Sequence, residues 1–259
     1  RILIDTVPGA IGSEATGLLA FRDGVLIGGK SKLWYFDGTT TRLLLSFIHD
    51  PSWPEPLKAS AVTHGVAYFL ARTNSHDPLS LWRSDGTAAG TRPVRLASGP
   101  TQPAPIELCA VGDTIFFTTQ TELWRTNDTI SSTAMVRAFP APGRPRDLYR
   151  VGNKLAFSAF DGVRHTVWIS EGGRAGTAIL RPGLLADPAY PEVFKRHDGN
   201  LLFNASQALW LSNGTPGATR VLARGIRGSK FQTLHTPHGP RTLFLKHLDG
   251  TTDLWITDG

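Results

Sequence analysis

Leu81-Trp82-Arg83-Ser84-Asp85-Gly86-Thr87-Ala88-Ala89-Gly90-Thr91 is the stretch on which the fold turns. Its Leu-Trp pair reads as a strand that stops at Asp85-Gly86, and Asp-Gly supplies the positive φ angles of a tight hairpin. The pair recurs at Leu33-Trp34, Leu123-Trp124, Val167-Trp168, Leu209-Trp210 and Leu254-Trp255, 42 to 48 residues apart, and accounts for six of the seven tryptophans. Three residues after each Trp stands a turn pair: Asp37-Gly38, Asn127-Asp128, Glu171-Gly172, Asn213-Gly214 and Asp258-Gly259 in the other copies. A short apolar segment follows, as in Thr41-Arg42-Leu43-Leu44 and Thr219-Arg220-Val221-Leu222.

Upstream of every Trp lies another hairpin signal: Asp23-Gly24, His64-Gly65, Gly112-Asp113, Gly152-Asn153, Asp198-Gly199 and His238-Gly239. Each repeat therefore holds four strands. Four short strands recurring about every 43 residues, with turns between them, are the pattern of propeller blades. The expectation is an all-β, six-bladed β-propeller of four-stranded antiparallel blades, a single domain over residues 1–259. Arg1-Ile2-Leu3-Ile4 has the look of the outer strand Arg220-Val221-Leu222-Ala223, so residues 1–7 are expected to complete the last blade and close the ring, leaving no exposed edge. The competing reading is a piece of a longer array.

The stretch Leu81–Thr91 resembles the signature of the bacterial ELWxxDGT-repeat proteins, and Glu122-Leu123-Trp124 and Leu254-Trp255-Ile256-Thr257-Asp258-Gly259 are partial copies. The third and fourth repeats depart from it at Asn127-Asp128 and Glu171-Gly172-Gly173, which makes their turn geometry an open question. The resemblance implies a propeller module of large secreted or cell-surface bacterial proteins, one module among others, with no established activity.

Composition narrows the classes. No apolar run approaches the 18 residues of a membrane-spanning helix, so no membrane insertion is expected. The chain starts at Arg1 directly in a strand-like segment, which reads as a mature or excised piece, a monomeric domain of a larger protein. The net charge of +6 comes from arginines and lysines scattered through the chain, densest at Arg144, Arg146 and Arg150, without the interleaved aromatics of a nucleic-acid surface. No nucleic-acid partner is expected. Cys109, the one cysteine, lies in apolar Leu108-Cys109-Ala110-Val111 and reads as a buried inert thiol.

Binding sites on propellers use the loops joining strands two to three and blade to blade, because those loops vary on a rigid scaffold. From the first-hairpin glycine to the Trp the repeats run 10, 17, 12, 16, 11 and 16 residues, so repeats two, four and six are expected to carry protruding loops near 74–78, 161–165 and 249–252. The longest blade-to-blade segment contains Trp53 between prolines, either a stacking platform for a sugar or a plug on the scaffold. As a platform it would be surrounded by His49, Asp50, His76 and Asp77. A second candidate is the row of acidic residues starting the innermost strands, Glu107, Asp147 and Glu192, with Gln232 in the next repeat. Converging carboxylates would bind a hard cation such as calcium, or serve as general acid and base.

No nucleophile elbow, phosphate-cradling loop or zinc spacing is present, and His64, His197 and His238 read as turn residues. The first functional expectation is a non-catalytic module binding a protein or glycan through its long-loop face. The alternatives are a metal-dependent hydrolase or lyase at the channel mouth, and an architectural spacer.

Overall fold

A computed structural model describes residues 15–29, 31–47, 57, 59–72, 77, 79–97, 103–141, 143–182, 194–205, 207–226, 231–237, 239–248 and 251–258. The described residues form no helix and make six antiparallel sheets of consecutive strands. Sheet one contains β1 (Ala15–Phe21), β2 (Gly24–Gly29), β3 (Lys32–Phe36) and β4 (Thr41–Ser46). Sheet two contains β5 (Ser60–Thr63), β6 (Val66–Ala71), β7 (Ser80–Ser84) and β8 (Arg92–Pro93). Sheet three contains β9 (Glu107–Val111), β10 (Thr114–Thr118), β11 (Glu122–Thr126) and β12 (Ala134–Ala138). Sheet four contains β13 (Arg146–Val151), β14 (Lys154–Phe160), β15 (His165–Ser170) and β16 (Thr177–Ile179). Sheet five contains β17 (Phe194–His197), β18 (Asn200–Ala205), β19 (Ala208–Ser212) and β20 (Arg220–Arg224). Sheet six has three strands, β21 (Phe231–Thr236), β22 (Gly239–Leu248) and β23 (Thr251–Thr257). The chain forms two compact units, Arg1–Thr119 with Arg125–Ala134, and Gln120–Trp124 with Met135–Gly259. The expected closing strand, residues 1–7, lies outside the described residues.

The repeated turn has a physical cause in a pair of hydroxyls seven residues apart. In sheet two Ser84 Oγ and Thr91 Oγ1 are 2.8 Å apart and buried, Ser84 Oγ accepts from Gly86 N at 3.1 Å, and Thr91 Oγ1 donates to Thr87 O at 2.7 Å. The same bonds recur between Thr126 and Thr133, Ser170 and Thr177, and Ser212 and Thr219, at 2.7–2.8 Å. Each pair satisfies turn groups that burial would otherwise orphan. The departures at Asn127-Asp128 and Glu171-Gly172 keep this geometry. Asp128 holds φ 72° in the left-handed position that Gly86, Gly172 and Gly214 fill at 86–93°. Gly90 is fixed by contact, since a Cβ there would lie 2.0 Å from Asp85 Oδ1. In sheet one Phe36 stands where Ser84 does in sheet two, and Asp37 Oδ1 accepts from both Thr39 N and Thr40 N, at 3.0 and 2.8 Å, where Asp85 Oδ1 accepts from Thr87 N.

Alternation along the strands buries one face of each sheet against its neighbour within a unit. Phe21, Leu33, Leu44 and Phe47 of sheet one form one core with Phe69 and Trp82 of sheet two. Ala156, Val167 and Ile169 of sheet four pack with Phe194, Leu201 and Phe203 of sheet five. Leu202, Leu209 and Leu211 of sheet five pack with Phe244 of sheet six. His197, expected only to shape a turn, is buried and joins these last two sheets. Its Nε2 donates to Asp258 O at 2.9 Å, and its Nδ1 lies 2.8 Å from Thr242 Oγ1.

The repeated tryptophans act at these contacts. Arg137, at the end of sheet three, lies 4.6 Å over the Trp168 ring and donates to Thr177 O at 3.3 Å. Arg181 does the same 44 residues later, 5.8 Å over Trp210 and donating to Thr219 O. Trp255 differs: it is 43% exposed on β23, with Leu254 and Ile256 more exposed still. Cys109 is half-buried, contrary to the expectation of full burial, and pairs in register with the buried Phe116. In repeats four and six part of the expected loop is strand: β15 starts at His165 and β23 at Thr251. Phe160 pairs with His165 and Leu248 with Thr251, so added residues lengthen the hairpins.

Candidate functional site

The end of sheet four where β13 starts and β14 passes into β15 gathers the described side chains best suited to a ligand. β13 is bulged there: its register with β14 slips between Arg146 and Tyr149, and Asp147 takes φ 57°. A non-glycine residue in the left-handed region is strained, and bulges re-aim the side chains beside them. Arg146 Nε lies 3.7 Å from Asp147 Oδ2.

Cross-strand partners share a sheet face, as do residues two apart. Arg146 pairs with Ser158 and Phe160 pairs with His165, so these four side chains lie on one face. It is the face that carries Ala156 and Val167 against sheet five. Ser158 is fully buried, and its Oγ has no hydrogen-bond partner among the described residues. The Phe160 and His165 rings stand 5.4 Å apart. Gly143 lets the incoming chain touch Phe160, since a Cβ at that glycine would fall 1.9 Å from the Phe160 Cβ. Burial, and then the positive charge of Arg146, hold the His165 imidazole below its usual pKa, against the opposing pull of Asp161. The ring is therefore biased to its neutral form.

The hairpin tip is built by Asp161, whose Oδ1 accepts from Val163 N at 2.8 Å and Arg164 N at 2.9 Å. That leaves Val163 80% exposed and Arg164 exposed beside it. Arg144 and Arg146 share this end of the sheet. Arg150 does not, for its Nε donates to Gly152 O at the far turn, 2.9 Å away. The basic group that the sequence brings together is thus divided between the two ends of β13.

Of the ligands expected from the sequence, His49, Asp50, Trp53, His76 and Glu192 lie outside the described residues. Asp77 is half-buried in the connection after β6. Glu107 is half-buried at the start of β9, paired in register with Thr118, a buried hydroxyl at the place Ser158 holds in sheet four. Among the described residues no three His, Cys, Asp or Glu side chains gather as metal ligands. Asp147 stands beside the Arg146 guanidinium. The sequence singles out Asp147, Arg146 and the His165 segment separately and gives Ser158 little prominence. The one signal for that serine is the polar residue after the repeated aromatic in Phe117-Thr118, Phe157-Ser158 and Phe203-Asn204. Asn204, which begins one of three glycosylation sequons, is itself buried.

No protein-family model matches the chain, and no curated protein matches it. Among solved structures it is similar to an oligogalacturonate lyase in complex with manganese, at 12% identity and TM-score 0.53, over 90% of this chain and 73% of that one. It is also similar to the extracellular domain of BT4673 from B. thetaiotaomicron, described as a hybrid two component system, at 11% identity and TM-score 0.54. There the match covers 95% of this chain, which spans about a third, 33%, of the other. At such identities the likeness is one of fold, all-β and propeller-like.

Proposed function

We propose that the chain is a six-bladed β-propeller of the ELWxxDGT-repeat kind, a non-catalytic module of a secreted or cell-surface bacterial protein. It binds a protein or glycan partner with the end of the sheets where second strands pass into third strands. The observation that carries this reading is the extended hairpin of sheet four. Its tip is held rigid by Asp161 and presents Val163 and Arg164 to solvent, at the same end as the strained Arg146-Asp147 bulge. A rigid scaffold with variable, exposed connections is the usual arrangement of a binding face.

Ring closure by residues 1–7 belongs to the same proposal. Among the described residues sheet six has three strands where the other five have four, and β23 exposes Leu254, Trp255 and Ile256. Deleting residues 1–7 is expected to lower the melting temperature by several degrees.

A glycan array, followed by calorimetry on the best binder, tests the function. Saturable binding without turnover of the bound glycan supports the module. Binding of calcium or manganese that is lost in Glu107→Gln with Asp147→Asn, together with chain cleavage of a polysaccharide, would replace it with a metal-dependent hydrolase or lyase. A chain that binds neither metal nor partner would be an architectural spacer.

A further inference from the structure

We propose that the partner of this face is a carboxylate-bearing glycan, a hexuronate oligosaccharide, whose carboxylate is held on the sheet-five side of sheet four by Arg146, the Ser158 hydroxyl and His165. The inference rests on the reading of the chain as a glycan-binding module and narrows it to one class of sugar.

Three independent features meet at this place. The Ser158 hydroxyl is fully buried and lacks a hydrogen-bond partner among the described residues, and a buried donor left unmade is costly, so it calls for an acceptor. Directly across the ladder stands Arg146, whose planar guanidinium matches a carboxylate better than any other side chain does. Sheet three tests the pairing by contrast. It carries the same kind of buried hydroxyl, Thr118, but opposite Glu107, a carboxylate of its own. Of the two, only sheet four sets a guanidinium opposite the hydroxyl, and an incoming carboxylate would share that guanidinium with Asp147, whose Oδ2 lies 3.7 Å from Arg146 Nε.

The second feature is charge. Arg144, Arg146 and Arg164 lie at this end against Asp147 and Asp161, and Asp161 is engaged by two backbone N–H groups at the hairpin tip. The third is the aromatic wall. Phe160, half-buried beside His165, offers an apolar ring to the C–H face of a sugar, which a free inorganic anion would not use. The imidazole, biased to its neutral form, serves as a hydrogen-bond donor to sugar or carboxylate oxygen without a further positive charge.

The test is calorimetric titration of the full chain with two oligosaccharides of equal length, β-1,4-linked glucuronate and β-1,4-linked glucose, which differ in the carboxylate at C6. The glucuronate oligomer is expected to bind roughly ten-fold tighter or more, as the loss of a charge-assisted bond implies. Arg146→Gln should erase that preference and His165→Asn should reduce it. Arg150→Gln, at the other end of β13, should leave it intact, and melting curves confirm that each variant is folded.

Equal binding of the two oligomers, or a preference that survives Arg146→Gln, would overturn the carboxylate reading while leaving a glycan-binding module in place. Glucuronate monosaccharide or acetate binding as tightly as the oligomer would overturn it in favour of a simple anion site. Failure of both oligomers, alongside binding of other glycans on the array, would reject hexuronates alone. Failure of every glycan would overturn the proposal together with the glycan half of the module reading, and leave a protein partner as its remaining form.

Discussion

At the turn end of sheets two to five, one hydroxyl pair closes every second hairpin, Ser84 with Thr91, Thr126 with Thr133, Ser170 with Thr177 and Ser212 with Thr219. At the opposite end the connections between second and third strands differ, from the two residues between β2 and β3 to the eight between β6 and β7. Repetition marks groups whose task is the same in every sheet, and that task is to satisfy a buried turn. Variation marks places the scaffold leaves open. The contrast assigns stability to one end and recognition to the other, and substitutions at each end should separate the two.

The largest effect is expected at Asp128, the one clamp turn that replaces glycine and adds an ion pair, with Arg83. Both side chains are mostly buried, so Asp128→Ala strands the guanidinium and keeps a strained φ, at a cost of about 3 kcal/mol or more by urea denaturation. Asp128→Gly should lose less, because glycine relieves the backbone. Equal losses would mean that the strain is negligible.

Thr177→Val comes next. It keeps shape but removes the hydroxyl that meets Ser170 Oγ and donates to Gly173 O, with an expected loss of ~1–3 kcal/mol. Arg137→Ala should cost ~1–2 kcal/mol, through the Trp168 stacking and the bond to Thr177 O, and Arg137→Lys should recover part of it.

The smallest effect is at the odd turn of sheet one. Hydrogen bonds from Thr40 and Thr39 hold the Asp37 carboxyl well below its usual range. A depressed folded pKa contributes stability above the unfolded value, near ~3.9, that is lost as pH falls toward the folded one. Below about pH 4 the melting temperature of the wild type should therefore fall more steeply than that of Asp37→Asn.

Much of the scaffold was legible in the sequence because its signals are local. A Leu-Trp pair, a turn three residues on and a second hairpin upstream each report on a few neighbouring residues, and the sheets follow them closely. The clamp was written there too, in Ser84 to Thr91 and its copies, but only the paired strands reveal that the two hydroxyls meet. The loop end was less legible. A count of residues between Gly152 and Trp168 does not distinguish a loop from a longer hairpin, since the register of Phe160 with His165 decides it. The Asp147 bulge and the burial of Ser158 depend on pairing and on a packed neighbour, neither of which one strand's sequence states.

The measurement that tests the division most directly is the glucuronate oligomer titration carried out on Thr177→Val and Arg146→Gln side by side, below the melting temperature of both. Thr177→Val is expected to melt lower and bind as the wild type does, and Arg146→Gln to melt as the wild type does and bind at least about ten-fold more weakly. Wild-type affinity in Arg146→Gln, or lost affinity in a folded Thr177→Val, would contradict the account.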